Sequence, residues 1–278
     1  MTEIQKVPYI GVSGIVNAEQ QAQLEAYADD LGLYDAGRKL ALGVKATHKT
    51  QYMDTENKYG ADWYPVGEAG ISDVLTPSEG SLRVAQVYLD VNYVGDEDYR
   101  REFIKRLRSR GAKWLQAVQF DMLPWHSNHD MWKFIDEVKD TGLEVLLQVH
   151  KNAMEDLGPH DTAIRLGAYA YLLDYVLFDS SHGTGKRLDA ESLVPFVDEA
   201  YSIVSSNYTG IAIAGGLNSH NVQYDLPKIV NKFPQISWDA EGQLHPVNDD
   251  CRRSLDLDIT RDYIDASTTL LRNVAQIS

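Results

Sequence analysis

Cysteine is almost missing from these 278 residues: Cys251 stands alone. A disulfide framework within the chain is therefore excluded, and so is a zinc site built on thiolates. Long apolar runs are missing too. No stretch approaches the ~18 residues that a membrane-spanning helix needs. Positive charge is scarce, with 26 Lys and Arg against 41 Asp and Glu and a net charge of −15. Nucleic acids and anionic membranes are polyanions that need a basic face, so neither is expected as a partner. The opening MTEIQKVPYI has no basic stretch leading into an apolar one. No secretory signal is expected, and the protein is placed in the cytoplasm. Internal repeats, linkers and low-complexity tracts are also lacking, so residues 1–278 are expected to form one domain. What is present suits a large soluble core: 44% of residues are hydrophobic and 24% charged.

Short β-branched runs alternate with longer amphipathic segments. Strands are expected at Tyr9–Ser13, 40–46, 83–90, 114–120, 143–150, 175–181, 210–216 and 235–242. Helical spacing is legible after the first run, in Leu24, Tyr27, Ala28 and Leu31, and over 96–110, 128–141, 160–171, 190–205, 219–231 and 258–275. Alternation of strand and helix implies parallel βαβ units. Eight such units predict a closed α/β barrel of the (β/α)₈ type, a fold that commonly takes ~250 residues as one domain. The irregular place is Thr47–Leu82, rich in Gly, Asp and Tyr, where the second helix should be. This long insertion after the second strand is expected on the active face, as a lid or substrate-facing wall. A surface excursion or a subunit contact is the alternative.

Ligands of such barrels meet the C-terminal strand ends, so the chemistry is expected there. The seventh ends in Ala214-Gly215-Gly216-Leu217-Asn218 and the eighth in Trp238-Asp239-Ala240-Glu241-Gly242. Glycines let backbone N–H groups approach an anion, and phosphate sites in this fold often use the loops after strands seven and eight. Gly215, Gly216, Leu217, Ala240, Glu241 and Gly242 are therefore expected to bind phosphate. Two tight turns needing positive φ would explain the same glycines. Asp179 closes the sixth apolar run and should stand at the mouth as a general acid or base, or else cap its own loop. His182, Gly183, Thr184 and Gly185 follow it as candidate substrate contacts. Together with Lys186 they look like part of a phosphate-binding GxxxxGK[ST] loop, but the spacing is wrong and Arg187 replaces the Ser/Thr. Lys45, Gln119, Asp121 and His150 are further candidate contacts at strand ends, as are Asp90 and Gln148. Ser13 should point into or beside the mouth. The tract Trp125-His126-Ser127-Asn128-His129-Asp130 lacks a paired carboxylate pattern and reads as a solvated loop and helix cap, so no metal and no cofactor is expected.

These segments together resemble phosphoribosylanthranilate isomerase. That family's first strand carries a K-I-C-G-L-T pattern, where this chain has Gly11-Val12-Ser13-Gly14-Ile15-Val16. Its sixth strand carries an Asp followed by G-G-T-G-K, where this chain has Asp179 and then His182-Gly183-Thr184-Gly185-Lys186. Its seventh carries L-A-G-G-L and then N-V, matched by Ile213-Ala214-Gly215-Gly216-Leu217 and Asn221-Val222. Val118-Gln119 stands where the family has V-Q-L-H, and Asp239-Ala240-Glu241-Gly242 is similar to its eighth-strand turn. The likeness is specific from about Tyr175 to Gly242. It implies an Amadori-type rearrangement, with Asp179 as the acid that protonates the ribose ring oxygen. The family's base is the first-strand cysteine. Ser13 stands there instead, and an unassisted hydroxyl cannot supply what a thiol of pKa ~8.5 can. The family's arginine after the second strand has no clean match either, Lys45 and Lys49 being nearby.

The expected function is thus that of a phosphoribosylanthranilate isomerase-like enzyme. It would act by acid/base chemistry, as isomerase or lyase, on a phosphoribosyl or related sugar-phosphate metabolite, as a monomer or homodimer. Asp179 and Ser13 would stand at the chemistry. Two alternatives stay open. One is a non-catalytic barrel that keeps the phosphate site. The other is a Schiff-base aldolase using Lys45, which would need a desolvated pocket.

Overall fold

The computed structural model describes residues 6–66, 70–111, 114–121, 125, 129–179, 188–204, 208–247 and 253–275. In chain order the elements are β1 (Tyr9–Ser13), α1 (Ala18–Asp30), β2 (Lys39–Thr47), β3 (Ser81–Tyr88), α2 (Glu97–Gly111), β4 (Ala117–Phe120), α3 (His129–Lys139) and β5 (Glu144–His150). They continue with α4 (Lys151–Gly167), β6 (Tyr175–Asp179), α5 (Ala190–Ile203), β7 (Gly210–Ala214), α6 (Ser219–Tyr224), α7 (Pro227–Val230), β8 (Ser237–Ala240) and α8 (Leu257–Ala275). Every neighbouring pair of strands is parallel, and β1 closes on β8 through Ile10↔Trp238, Gly11↔Asp239 and Val12↔Ala240. The expected closed (β/α)₈ barrel is what the chain forms.

Period two splits each strand between two apolar layers. Ile10, Val12, Leu40, Leu42, Val44, Val118, Phe120, Val176 and Phe178 face outward into the layer shared with the helices. Tyr9, Ala41, Leu82, Val84, Ala117, Leu146, Tyr175, Leu177 and Ala212 fill the lower barrel interior. Each fully buried aliphatic side chain contributes roughly 1.5–3 kcal/mol, so both layers act together to hold the strands in register.

The helices depart from the sequence expectation in instructive ways. After β5 the chain turns helical at once, at Lys151, whereas the pattern predicted a start near 160. Gly158, at φ 69°, breaks the helix, and Pro159 restarts it. Proline is tolerated in a first turn because its missing N–H would have had no partner there. The segment 151–157 was hidden by this Gly-Pro pair, although Ala153 and Met154 anchor it. The single helix expected over 219–231 is two, α6 and α7. Pro227 cannot continue α6, because its ring would meet the carbonyl of Gln223 and it has no N–H to offer. Between β2 and β3 a short π-helical turn, His48–Tyr52, stands in place of a crossover helix. Thr47 and Thr50 cap it reciprocally, each hydroxyl accepting from the other's backbone N–H at 3.0 and 3.1 Å. Further along that connection Asn57, Lys58, Tyr59, Trp63 and Tyr64 lie at the barrel mouth, with Trp63 and Tyr64 buried.

Candidate active site at the barrel mouth

The interior changes character towards the C-terminal strand ends. Above the apolar layers, inward positions read Ser13, Gln86, Gln119 and Asp239, which line the barrel centre with Gly11 and Gly43. Above those come Lys45, Tyr88, Asp121, Gln148, Asp179 and Glu241, which line an open cleft of about 730 Å³. The insertion supplies the opposite wall with Asn57, Lys58, Tyr59, Trp63 and Tyr64.

Two glycines make the polar centre possible. A Cβ on Gly11 would come within 2.6 Å of Asp239 Oδ1, and one on Gly43 within 2.9 Å of Gln86 Cδ. The room they leave holds a chain of hydrogen bonds. Gln86 Nε2 donates to Ser13 Oγ at 2.5 Å, and Ser13 Oγ donates to Asp239, both carboxyl oxygens lying at 3.0 Å. Ser13 therefore lies one layer below the cleft rather than beside its opening, 1% exposed and with its hydroxyl engaged. Burial, reinforced by the charge on Glu241, pushes the Asp239 carboxyl up to about 8. It is thus predominantly protonated at neutral pH.

At the cleft itself Lys45 is fully enclosed. Its ammonium is paired with Glu241, lies 3.3 Å from Tyr88 Oη, and sits 4.3, 5.1 and 5.2 Å from the ring centres of Trp63, Tyr64 and Tyr88. Asp121, also buried, has its carboxyl pushed up to about 7, first by desolvation and then by Glu241, against the opposing help of Tyr88 and Lys45. The phenol of Tyr88 is driven well above its ordinary range by burial and by Asp121. Asp179 accepts from Gln148 Nε2 at 2.9 Å, and Gln148 in turn accepts from Gln119 at 3.3 Å.

Of the residues expected at the site, the cleft brings together Lys45, Asp121 and Asp179, with Gln148 and Asp90. An inner cavity beside it collects Gln119, Gly215, Gly216 and Gly242. Gly215 and Gly216 adopt φ of 123° and 64°, a path other residues rarely take. Leu217 is entirely buried, so its side chain belongs to the core. Ala240 ends β8 with its side chain in the outer layer. Glu241 departs from expectation: its carboxylate goes to Lys45, leaving only main-chain groups of that turn to face an anion. His150 pairs in register with Asp179 and stands at the N-terminus of α4 without capping it through its side chain, and it is not among the described residues that line the cleft. His182, Gly183, Thr184 and Gly185 lie outside the described residues, as does Cys251. Among the described residues no group of three or more His, Cys, Asp or Glu is placed to hold a metal ion.

Sequence reading missed Trp63, Tyr64, Tyr88, Gln86, His245 and Arg253. Tyr88 and Gln86 were legible in principle, since both share the inward parity of Val84 on β3. His245 is buried against the mouth and stacked on Trp63 at 5.4 Å, and burial lowers its pKa. No local pattern marks it.

Residues 112–233 match the family model described as N-(5'phosphoribosyl)anthranilate (PRA) isomerase. The likeness to that family is thereby borne out. It begins well before Tyr175 and ends short of the β8 turn. No curated protein matches the chain. Similar solved structures include the tryptophan synthase alpha chain from Legionella pneumophila subsp. pneumophila, 10% identical over 98% of each chain with a TM-score of 0.49. They also include tryptophan synthase from M. tuberculosis, 10% identical over 97% of this chain and 92% of that one, TM-score 0.43. A GH128 endo-beta-1,3-glucanase from Amycolatopsis mediterranei is 11% identical over 96% of this chain and 99% of its own, TM-score 0.45.

Proposed function

We propose that this barrel is an acid/base enzyme, an isomerase or lyase, acting on a phosphorylated, ribose-derived metabolite at its C-terminal mouth. The observation that carries this reading is the environment of Asp121: a buried carboxyl pushed up to about 7, lining the same cleft as Asp179. A carboxyl poised near the working pH exchanges protons with the least mismatch, and two carboxyls in unlike surroundings divide the acid and base roles. In an Amadori-type rearrangement one group protonates the ribose ring oxygen as the ring opens. The other removes the proton from the carbon beside the resulting imine. Asp179, oriented by Gln148, takes the first role by resemblance to the isomerase family. Asp121 takes the second, since Ser13 is committed to Asp239 and Gln86. The glycine turns after β7 and β8 would receive the phosphate through backbone N–H groups.

The test is a thermal-shift and turnover screen with ribosyl phosphates on the wild type and on Asp121→Asn and Asp179→Asn. Each variant is expected to lose about 10²-fold or more in turnover while staying folded. The wild-type rate should rise through pH 7 as Asp121 ionises. Binding of no phosphorylated compound by a folded wild type would sink the reading, and so would unchanged turnover in both variants. Schiff-base chemistry at Lys45 is the weaker reading. An amine nucleophile must first give up the proton that its ion pair with Glu241 uses. Borohydride trapping with carbonyl substrates is accordingly expected to leave Lys45 unmodified.

A further inference from the structure

We propose that Arg253 is the side chain that grips the anionic group of the ligand in the inner cavity, and that Trp63 holds Arg253 in position to do so. The inference rests on the phosphate-site reading above and adds to it a residue that neither the barrel's glycine turns nor the isomerase likeness marks. Arg253 lies beyond residues 112–233.

The argument begins with charge. The inner cavity is lined by Gly215, Gly216 and Gly242, and also by Asp179, Asp239 and Glu241. Three carboxyls beside an anion would repel it if all were charged. They are not all charged. Asp239 keeps its proton at neutral pH because burial raises it to about 8, and Glu241 is neutralised by Lys45. Arg253 is the one cation among the described residues of the lining, and no described carboxylate lies within ion-pairing distance of its guanidinium. A guanidinium offers phosphate two parallel N–H donors, which backbone amides alone do not supply.

Position supports the same conclusion. Arg253 is held by an antiparallel bridge to Val247. Its guanidinium carbon lies 5.5 Å from the ring centre of Trp63. Trp63 comes from the insertion after β2, on the other side of β1 from β8, and lines both the cleft and the inner cavity. The same indole lies 4.3 Å from the Lys45 ammonium and 5.4 Å from the His245 ring, so one side chain of the insertion touches Lys45, His245 and Arg253. Its buried N–H has no hydrogen-bond acceptor among the described residues. Trp63 thus ties the insertion after β2 to the anion-binding side of the barrel.

The experiment is a calorimetric titration of the full-length protein with inorganic phosphate and with ribose 5-phosphate, and tryptophan fluorescence is followed in parallel. Arg253→Ala is expected to weaken both probes about tenfold to a hundredfold, the range for losing a charge-assisted hydrogen-bonded contact. Arg253→Lys should restore part of the loss, because the charge returns without the bidentate fork. Trp63→Phe should abolish most of the ligand-induced fluorescence change and weaken binding by less than Arg253→Ala does. If the wild type binds the probes and Arg253→Ala binds them equally well, the role of Arg253 is overturned while the phosphate-site reading survives. If the folded wild type binds neither probe, both are overturned.

Discussion

A carboxyl group walled in by a barrel has two ways to avoid an uncompensated charge: it can find a cation or keep its proton. Glu241 takes the first course with Lys45, and Asp239 takes the second. The difference has a sign that can be measured. The folded pKa of Asp239 lies above the unfolded value near 3.9, so the folded state holds the extra proton. Stability contributed by this group is therefore greatest at low pH and erodes as pH rises from about 4 to about 8. Asp239→Asn removes the titration and keeps the shape. Its melting temperature relative to wild type should climb between pH 5 and pH 8.5, by an amount corresponding to a few kcal/mol. A constant difference across that range would show that Asp239 titrates as an ordinary carboxyl. Ser13 belongs to the same chain of bonds. Ser13→Ala should cost about 1–3 kcal/mol in chemical denaturation, since it strands partners on both sides. Ser13→Cys should confer no phosphoribosylanthranilate isomerase activity, because that position faces Asp239 and Gln86 rather than the cleft.

At the scale of elements, β1 and β2 each give up a side chain so that β8 and β3 can place a polar one in the barrel centre. Gly43→Ala should destabilise the fold by about 1–3 kcal/mol, the usual range for forced overpacking. Adding Gln86→Ala should recover much of that loss, because the clash is with Gln86 itself. Failure of the double variant to recover would mean that the β2 backbone, not the glutamine, sets the cost. The insertion between β2 and β3 is pinned at the mouth by Trp63, whose ring meets Tyr59, Tyr64 and His245 at 5.4–5.5 Å. Trp63→Ala should accordingly speed limited proteolysis within residues 53–80 while cleavage at α2 and α8 stays slow.

The whole molecule carries a net charge of −15, yet the proposed ligand is an anion. Long-range repulsion then slows encounter, and salt relieves it because the Debye length falls to about 8 Å at physiological ionic strength. The association rate of a ribosyl phosphate, followed by stopped-flow fluorescence, should rise several-fold from about 10 to 150 mM ionic strength. The local contacts should limit the change in dissociation rate. A falling association rate would indicate that the field at the mouth is positive in spite of the overall charge.

Strand order, the parallel sheet and the weak second helix were legible in the chain, because each strand carries its own apolar run and each helix its own period. So were Lys45, Asp121 and Asp179, since a polar residue that ends an apolar barrel strand has one place to go. Parity along a strand decides which face a residue takes, and the sequence alone contains that parity. It does not contain which inward residues meet. Ser13 and Asp239 are 226 residues apart and touch only because β1 closes on β8. Lys45 and Glu241 are 196 apart, joined by the same closure. Whether Glu241 faces phosphate or lysine, whether Asp239 is charged, and where Trp63 and Arg253 come together are settled by burial and barrel register. These are properties of the closed sheet, and no local window of the chain encodes them.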